Sequence, residues 1–389
     1  MSRPLAPSRR ACVAPFMAMD VLREARALER QGRRIVHMEL GEPGAPAPRA
    51  VREAAAAALA GGAIGYGEAM GEALLRARIA RHYREHYGVE VSPDRVIVKT
   101  GSSGGFLLAF LAAFDPGARI AVTAPGYPAY VNILEALGLE AAPIEVGPET
   151  RFAPTAELLE RAHRAKPLHG ALLMSPANPT WTLIPPHELA RICAYCEEAG
   201  LVFVSDEIYH GLEYEGRADT ALRFSDRAVV VNSFSKYYAM TGWRLGWLIA
   251  PEPFARPMER LQQSLAICAP TLAQKAAVHA FDATQELEAN KASYARNRAL
   301  LLERLPDMGL TKFAPPDAAF YFYVDVSALT DDSMAFCKRM LHEAGVAATP
   351  GLDFDRARGK TALRLSYAGP EAEVTEGVER LAAWLTKLV

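Results

Sequence analysis

Between residues 95 and 251 the apolar positions come in short blocks, rich in β-branched residues and apolar at consecutive rather than alternate places. RVIVKT (95–100), RIAVTAP (119–125), GALLMSP (170–176), LVFVSDE (201–207), AVVVNSF (228–234) and WLIAP (247–251) read as strands. Consecutive apolar residues imply strands covered on both faces, as in a parallel sheet layered by helices. Helical spacing appears between them, in FLLAFLAAF (106–114), AYVNILEALG (129–138), PHELARICAYCEEAG (186–200) and a long segment from Thr271 to about Leu305. This alternation predicts βαβ units and an α/β fold. Upstream, EAAAAALAGG (53–62) predicts a helix that ends at glycine.

Beyond the long helical segment the pattern changes. AAFYFYVDVS (318–327) and TALRLSYA (361–368) read as strands, and DSMAFCKRMLHEAG (332–345) and a closing stretch through Trp384 as helices. A smaller α+β unit is expected there, joined by the segment before Pro46. The expected division is a large domain over 46–289 and a small domain made of 1–45 and 290–389. No internal repeat or low-complexity linker interrupts it.

With 389 residues, half of them apolar, the chain can bury a large core in two domains, which excludes a disordered protein. The 43 basic and 45 acidic residues leave a formal charge of -2 with no basic block, which argues against nucleic-acid binding and favours small molecules or a protein partner. Cys12, Cys193, Cys196, Cys268 and Cys337 are odd in number and scattered, pointing to a reducing compartment. Cys193 and Cys196 sit in a helical pattern without a second pair or nearby His, so packing is expected rather than a metal site. Pro15 and Asp20 interrupt the N-terminal region before it could serve as a signal sequence, and no stretch suffices for a membrane span. A soluble, cytoplasmic protein is expected.

Ligands of open parallel sheets bind beyond the carboxyl ends of the strands, so polar residues there carry the most weight. KTGSSGG places Gly101, Ser102 and Ser103 where a helix begins, a phosphate cradle matching neither the GxGxxG nor the GxxxxGK spacing. In APGYPAY, Tyr127 can cover a planar ligand. SPANPTW fixes Asn178 between two prolines, and VSDEIYHG ends an apolar strand on Asp206 with Tyr209 three residues on. A buried carboxylate there calls for a cation or a hydrogen-bond donor. In SFSKYYAMTGWRLGW, Lys236 follows a strand that reads as buried, where a lowered pKa would suit Schiff-base chemistry. Taken singly, each has a bland reading as a turn, core or surface residue. Together they call for a phosphate, a planar ring, a phenolic oxygen, a protonatable ring nitrogen and an aldehyde, all present in pyridoxal 5'-phosphate.

With these motifs in this order, the chain from about Val36 to its C-terminus resembles the class I/II aminotransferases, fold-type I pyridoxal-phosphate enzymes. The resemblance implies a mostly parallel seven-stranded sheet with a smaller α+β domain. It implies Lys236 as Schiff-base lysine, Asp206 on the pyridinium nitrogen, Tyr209 and Asn178 on the phenolic oxygen, and Tyr127 stacked on the ring. Gly101, Ser102, Ser103, Ser233 and Arg244 would hold the phosphate, with Tyr66 reaching that of the neighbouring subunit in a homodimer. Arg364 would bind the substrate α-carboxylate, with Gly41 beside it. The implied reaction is a ping-pong transfer of an amino group from an amino acid to a 2-oxo acid, with no metal. A carbon-sulfur β-lyase on the same scaffold is the alternative; a non-enzymatic binding module and a dehydrogenase are disfavoured by the intact Lys236 and the missing GxGxxG.

The chain departs from that family pattern in places. Trp181 stands where a glycine usually follows Asn-Pro-Thr, and is expected to take a pocket or entrance role. Gly67, Ala266 and Cys268 replace other residues, which reads as a remodelled pocket, natural or engineered. Gln263 stands near the place of the arginine that clamps a second carboxylate, so strict dicarboxylate specificity is not expected.

Overall fold

The computed structural model describes residues 5–388; residues 1–4 and 389, assigned above to the expected small domain, lie outside the described residues. Twelve strands form three sheets among the described residues. In chain order they are β1 (Val36–His37), β2 (Val96–Lys99), β3 (Arg119–Ala124), β4 (Glu140–Glu145), β5 (Gly170–Met174), β6 (Val202–Asp206), β7 (Val229–Ser233) and β8 (Gly246–Ile249). These are followed by β9 (Tyr321–Asp325), β10 (Val346–Ala347), β11 (Thr349–Pro350) and β12 (Ala362–Ser366).

The central sheet has seven strands in the order β2-β8-β7-β6-β5-β3-β4, all parallel except β8. Every residue of β2, β5, β7 and β8 is buried, which the consecutive apolar positions required. Apolar clusters cover both faces of this sheet. One contains Ile97, Leu172, Val204 and Val231; the other contains Val98, Leu173, Phe203 and Val230. The first continues to Phe320 and to Phe322 on β9 of the C-terminal sheet β11-β12-β9, which is antiparallel.

The six sheet strands expected from the pattern are present, but β4 was not among them. Its sequence, EAAPIE, alternates in exposure at the sheet edge, so it lacks a continuous apolar run. The segment expected as one helix from Thr271 is broken into Thr271–Ala277, a 3-10 stretch Val278–Asp282, and Thr284–Asp307. The helix Met17–Glu29 begins without a capping side chain of its own. Asp353 takes that role from far along the chain, accepting Met17 N–H at 2.9 Å and Ala18 N–H at 3.2 Å. No described helix is long and apolar enough to cross a membrane.

Candidate active site

The parallel strands share their carboxyl ends, and there a cavity of about 320 Å³ opens. Ser102, Ser103, Tyr127, Asn178, Asp206, Tyr209, Lys236, Arg244, Arg364 and Gly41 all line it. Residues separated by more than 320 positions are thus brought together by the two sheets.

Asp206, at the end of β6, is 1% exposed. The Tyr130 hydroxyl donates to its Oδ2, and the Ile208 N–H donates to its Oδ1 at 3.0 Å. Burial outweighs these donors and the charge of Lys236, raising its pKa to about 7. Lys236 follows β7 and donates from Nζ to the Gly41 carbonyl at 2.7 Å. Its pKa is lowered to about 8, first by burial and then by the charges of Arg364 and Arg244, against Glu42 and Asp206. The site therefore holds an acid and a base that both titrate near neutrality.

Arg364 lies on β12 and is 3% exposed. Its Nη1 donates to Asn178 Oδ1 at 3.0 Å, and its Nη2 to the Glu39 carbonyl at 2.5 Å and to Thr349 Oγ1 at 3.3 Å. Its Nε has no hydrogen-bond partner among the described residues. The guanidinium carbon sits 4.0 Å from the Tyr321 ring centroid and 4.7 Å from that of Phe354. Such a group is expensive to bury unless an anion completes its hydrogen bonds.

A second anion corner forms where the helix Gly101–Ala113 begins. Gly101 has φ +66°, and a Cβ there would come within 2.5 Å of Arg244 Nη2. Arg244 has φ +51° and is held by donating from Nη1 to the Thr241 carbonyl at 3.0 Å. Backbone donors at the helix start and the guanidinium thus share one corner.

Other expected residues are placed differently. Ser233 is buried beneath the cavity, its hydroxyl donating to Leu245 O at 3.0 Å and lying 2.9 Å from the Ser235 hydroxyl, which can donate to it. Ser235, not Ser233, lines the cavity. Trp181 was expected at the pocket or its entrance, but it is fully buried behind the wall, against Tyr209, Phe320 and Tyr321. Its φ of +62° turns the indole inward, in a backbone conformation that favours glycine. Tyr66 is 83% exposed and is not a cavity residue of its own chain. Tyr321 lines the cavity and was missed, because YFYVD reads as a core strand.

Residues 35–381 match the family model described as aminotransferase class I and II. The chain belongs to the class I and II aminotransferases. This aminotransferase is 51% identical over 380 residues to a protein of Mycobacterium tuberculosis named valine–pyruvate aminotransferase, covering 97% of each chain. It is 35% identical over 374 residues to the aspartate/prephenate aminotransferase of Thermus thermophilus, covering 95% of each. Among solved structures, an aminotransferase from M. tuberculosis superposes with a TM-score of 0.96 at 50% identity, covering 99% of this chain and 100% of that one. The T. thermophilus aspartate aminotransferase with maleate gives 0.92 at 33% identity, covering 98% and 100%. The protein is therefore an enzyme that transfers an amino group between an amino acid and a 2-oxo acid.

Proposed function

We propose that this aminotransferase uses pyridoxal 5'-phosphate held by Lys236, works by a ping-pong exchange, and prefers small monocarboxylic partners. The observation that carries this reading is the meeting of Lys236, Asp206, Arg244 and Arg364 at one cavity.

The residues suit that cofactor. Asp206, at about 7, gains from a protonated ring nitrogen. Ser102, Ser103, Arg244 and Ser235 surround the corner for a phosphate, where Gly101 leaves room that a side chain would fill. Tyr209 and Asn178 would bond the phenolic oxygen, and Tyr127 would cover the ring. When bound, the group supplies an electron sink for the pair left at the substrate Cα.

The chain supplies the remaining work. Lys236 Nζ, lowered to about 8, is the amine that would attach covalently and, once released, would take and return the proton at the substrate Cα. Arg364 would orient the substrate carboxylate with its rigid fork, completed by the unpartnered Nε. Gly41 fits beside it because a Cβ there would collide with the Tyr321 hydroxyl. Phe16, Met19 and Leu22 of the N-terminal region give the cavity an apolar side. That side and the name of the M. tuberculosis relative support a small apolar donor such as valine and an acceptor such as pyruvate.

We further propose a cytoplasmic homodimer in which Tyr66 completes the phosphate corner of the second copy. Its exposed ring, next to a Gly65 carbonyl held by Thr271 Oγ1 at 2.9 Å, supports this reading. In the same scheme residues 46–289 form the cofactor domain, and 1–45 with 290–389 form the domain that closes on substrate.

The visible spectrum of the protein loaded with pyridoxal phosphate tests the reaction. Addition of valine without any oxo acid is expected to convert one equivalent per site to the amino form, and pyruvate to restore it. Continuous ammonia release without an acceptor would instead favour a lyase. Failure of Lys236 to attach the cofactor would overturn the reading.

A further inference from the structure

Trp181 occupies a costly position. Its φ of +62° is unfavourable for any side chain larger than glycine's hydrogen, and its buried Nε1 has no hydrogen-bond partner among the described residues. Packing of the indole offsets both, and that packing is directed at two cavity residues. The indole lies 4.2 Å from the Tyr321 ring, tilted 36°, and meets the Tyr209 ring edge-on at 4.6 Å.

Tyr321 is in turn the seat of Arg364. The guanidinium carbon stands 4.0 Å from its centroid, close enough for a cation–π contact. On the strand pair β9-β12, Arg364 faces Tyr323 directly, so Tyr321 reaches it along the diagonal. The hydroxyl end of Tyr321 abuts Gly41, where no Cβ fits. Trp181 behind and Gly41 ahead leave the ring little freedom, and the guanidinium rests against that ring.

We infer that Trp181 and Tyr321 form a two-ring buttress that holds the Arg364 guanidinium in its carboxylate-binding orientation, making Trp181 a positioning residue and not a pocket wall. The inference rests on Arg364 binding the substrate carboxylate. Truncating Trp181 leaves a void behind both Tyr321 and Tyr209, and interiors relax only partly into such voids.

The test compares cofactor-loaded parent with Trp181→Gly and Trp181→Phe. Calorimetric titration with 3-methylbutanoate, a carboxylate without an amino group to react, is expected to show affinity about tenfold weaker in Trp181→Gly. In turnover, KM for both amino acid and oxo acid should rise by about the same factor, with a smaller change in kcat. Trp181→Phe keeps a ring behind Tyr321 and should recover affinity to within about threefold of the parent. Parental affinity in loaded Trp181→Gly would overturn the buttress while leaving the proposed function intact. A parent that takes up no pyridoxal phosphate would instead overturn that function, and this inference with it. Should Trp181→Gly fail to fold, Tyr321→Leu and Tyr321→Phe ask the same question. The leucine variant should lose about tenfold in carboxylate affinity and the phenylalanine variant less than threefold, and equal affinities would overturn the inference.

Discussion

Asp206 and Glu207 are consecutive carboxylic acids, each 1% exposed, and burial raises both, to about 7 and about 8. They face opposite sides of the central sheet. Asp206 opens on the cavity, with Lys236 among the charges that act on it. Glu207 points into the other apolar layer, where its Oε1 accepts from Ser205 Oγ at 3.1 Å, Thr220 Oγ1 at 3.1 Å and Ala221 N–H at 2.9 Å. Nearby, the His210 Nε2–H donates to Ser175 O at 3.1 Å, so its Nδ1 accepts from the Tyr87 hydroxyl at 2.7 Å. Burial and a shifted pKa are common to both acids. Access to a cavity and a neighbouring cation, Lys236, set the proposed reactive acid apart from the one that fastens a loop to a strand.

Substitutions on the cavity side should break this symmetry most. Lys236→Ala removes the proposed covalent anchor and proton carrier, and activity is expected to fall by about 10³-fold or more, with loss of the visible band of attached cofactor. Asp206→Asn keeps the shape but not the charge. In the proposed function Asp206 would pair with the protonated ring nitrogen, and losing one member of such a buried charge pair costs about 2–5 kcal/mol, so kcat should fall by roughly 10²–10³. Glu207→Gln, one residue away, should keep activity within about threefold. A comparable loss in Glu207→Gln would show that both faces of the strand act in the reaction.

Arg364→Leu sharpens the cavity side. In the proposed function pyridoxal phosphate attaches to the neutral Lys236 amine, so the attachment rate in the parent should rise with pH through about 8 and then level off. Arg364 is the largest charge lowering that lysine, second only to burial. Its removal should shift the midpoint to higher pH, seen by stopped-flow absorbance, whereas Glu207→Gln should leave it in place.

The same contrast explains what could be read from sequence. Asp206, Lys236 and Asn178 were legible because a polar residue at the end of an apolar strand must be explained by a ligand. Arg364 and Gly41 were reached through the family resemblance, since nothing local joins them to β6 and β7. Ser233 and Ser235 stand two positions apart in the sequence, and the structure separates them: Ser233 folds back onto Leu245, leaving Ser235 at the cavity. Trp181 was misplaced because its neighbour Asn178 faces the cavity, while the backbone at Trp181 reverses the direction of its side chain. The helix Glu252–Ala266 escaped notice for a similar local reason, since Pro253 and Pro257 disguise it although both are accommodated.

The smallest expected effect concerns stability on the scaffold face. Glu207 titrates at about 8 in the fold against an ordinary 4.5, so between these values the native state keeps a proton that the unfolded chain has released. Its contribution is therefore fully present below about 4.5 and is lost as pH rises toward 8. His210 acts in the opposite direction: burial lowers it from 6.5 to about 3, so its contribution is present above 6.5 and is lost as pH falls toward 3. Glu207→Gln should relieve the alkaline loss and leave the acid one. Thermal melts of parent and variant should lie close together near pH 5 and separate by a few degrees by pH 8, with the variant higher. A constant difference across that range would mean that Glu207 is ionised in the fold throughout, and that the opposite faces of β6 hold their acids in different states.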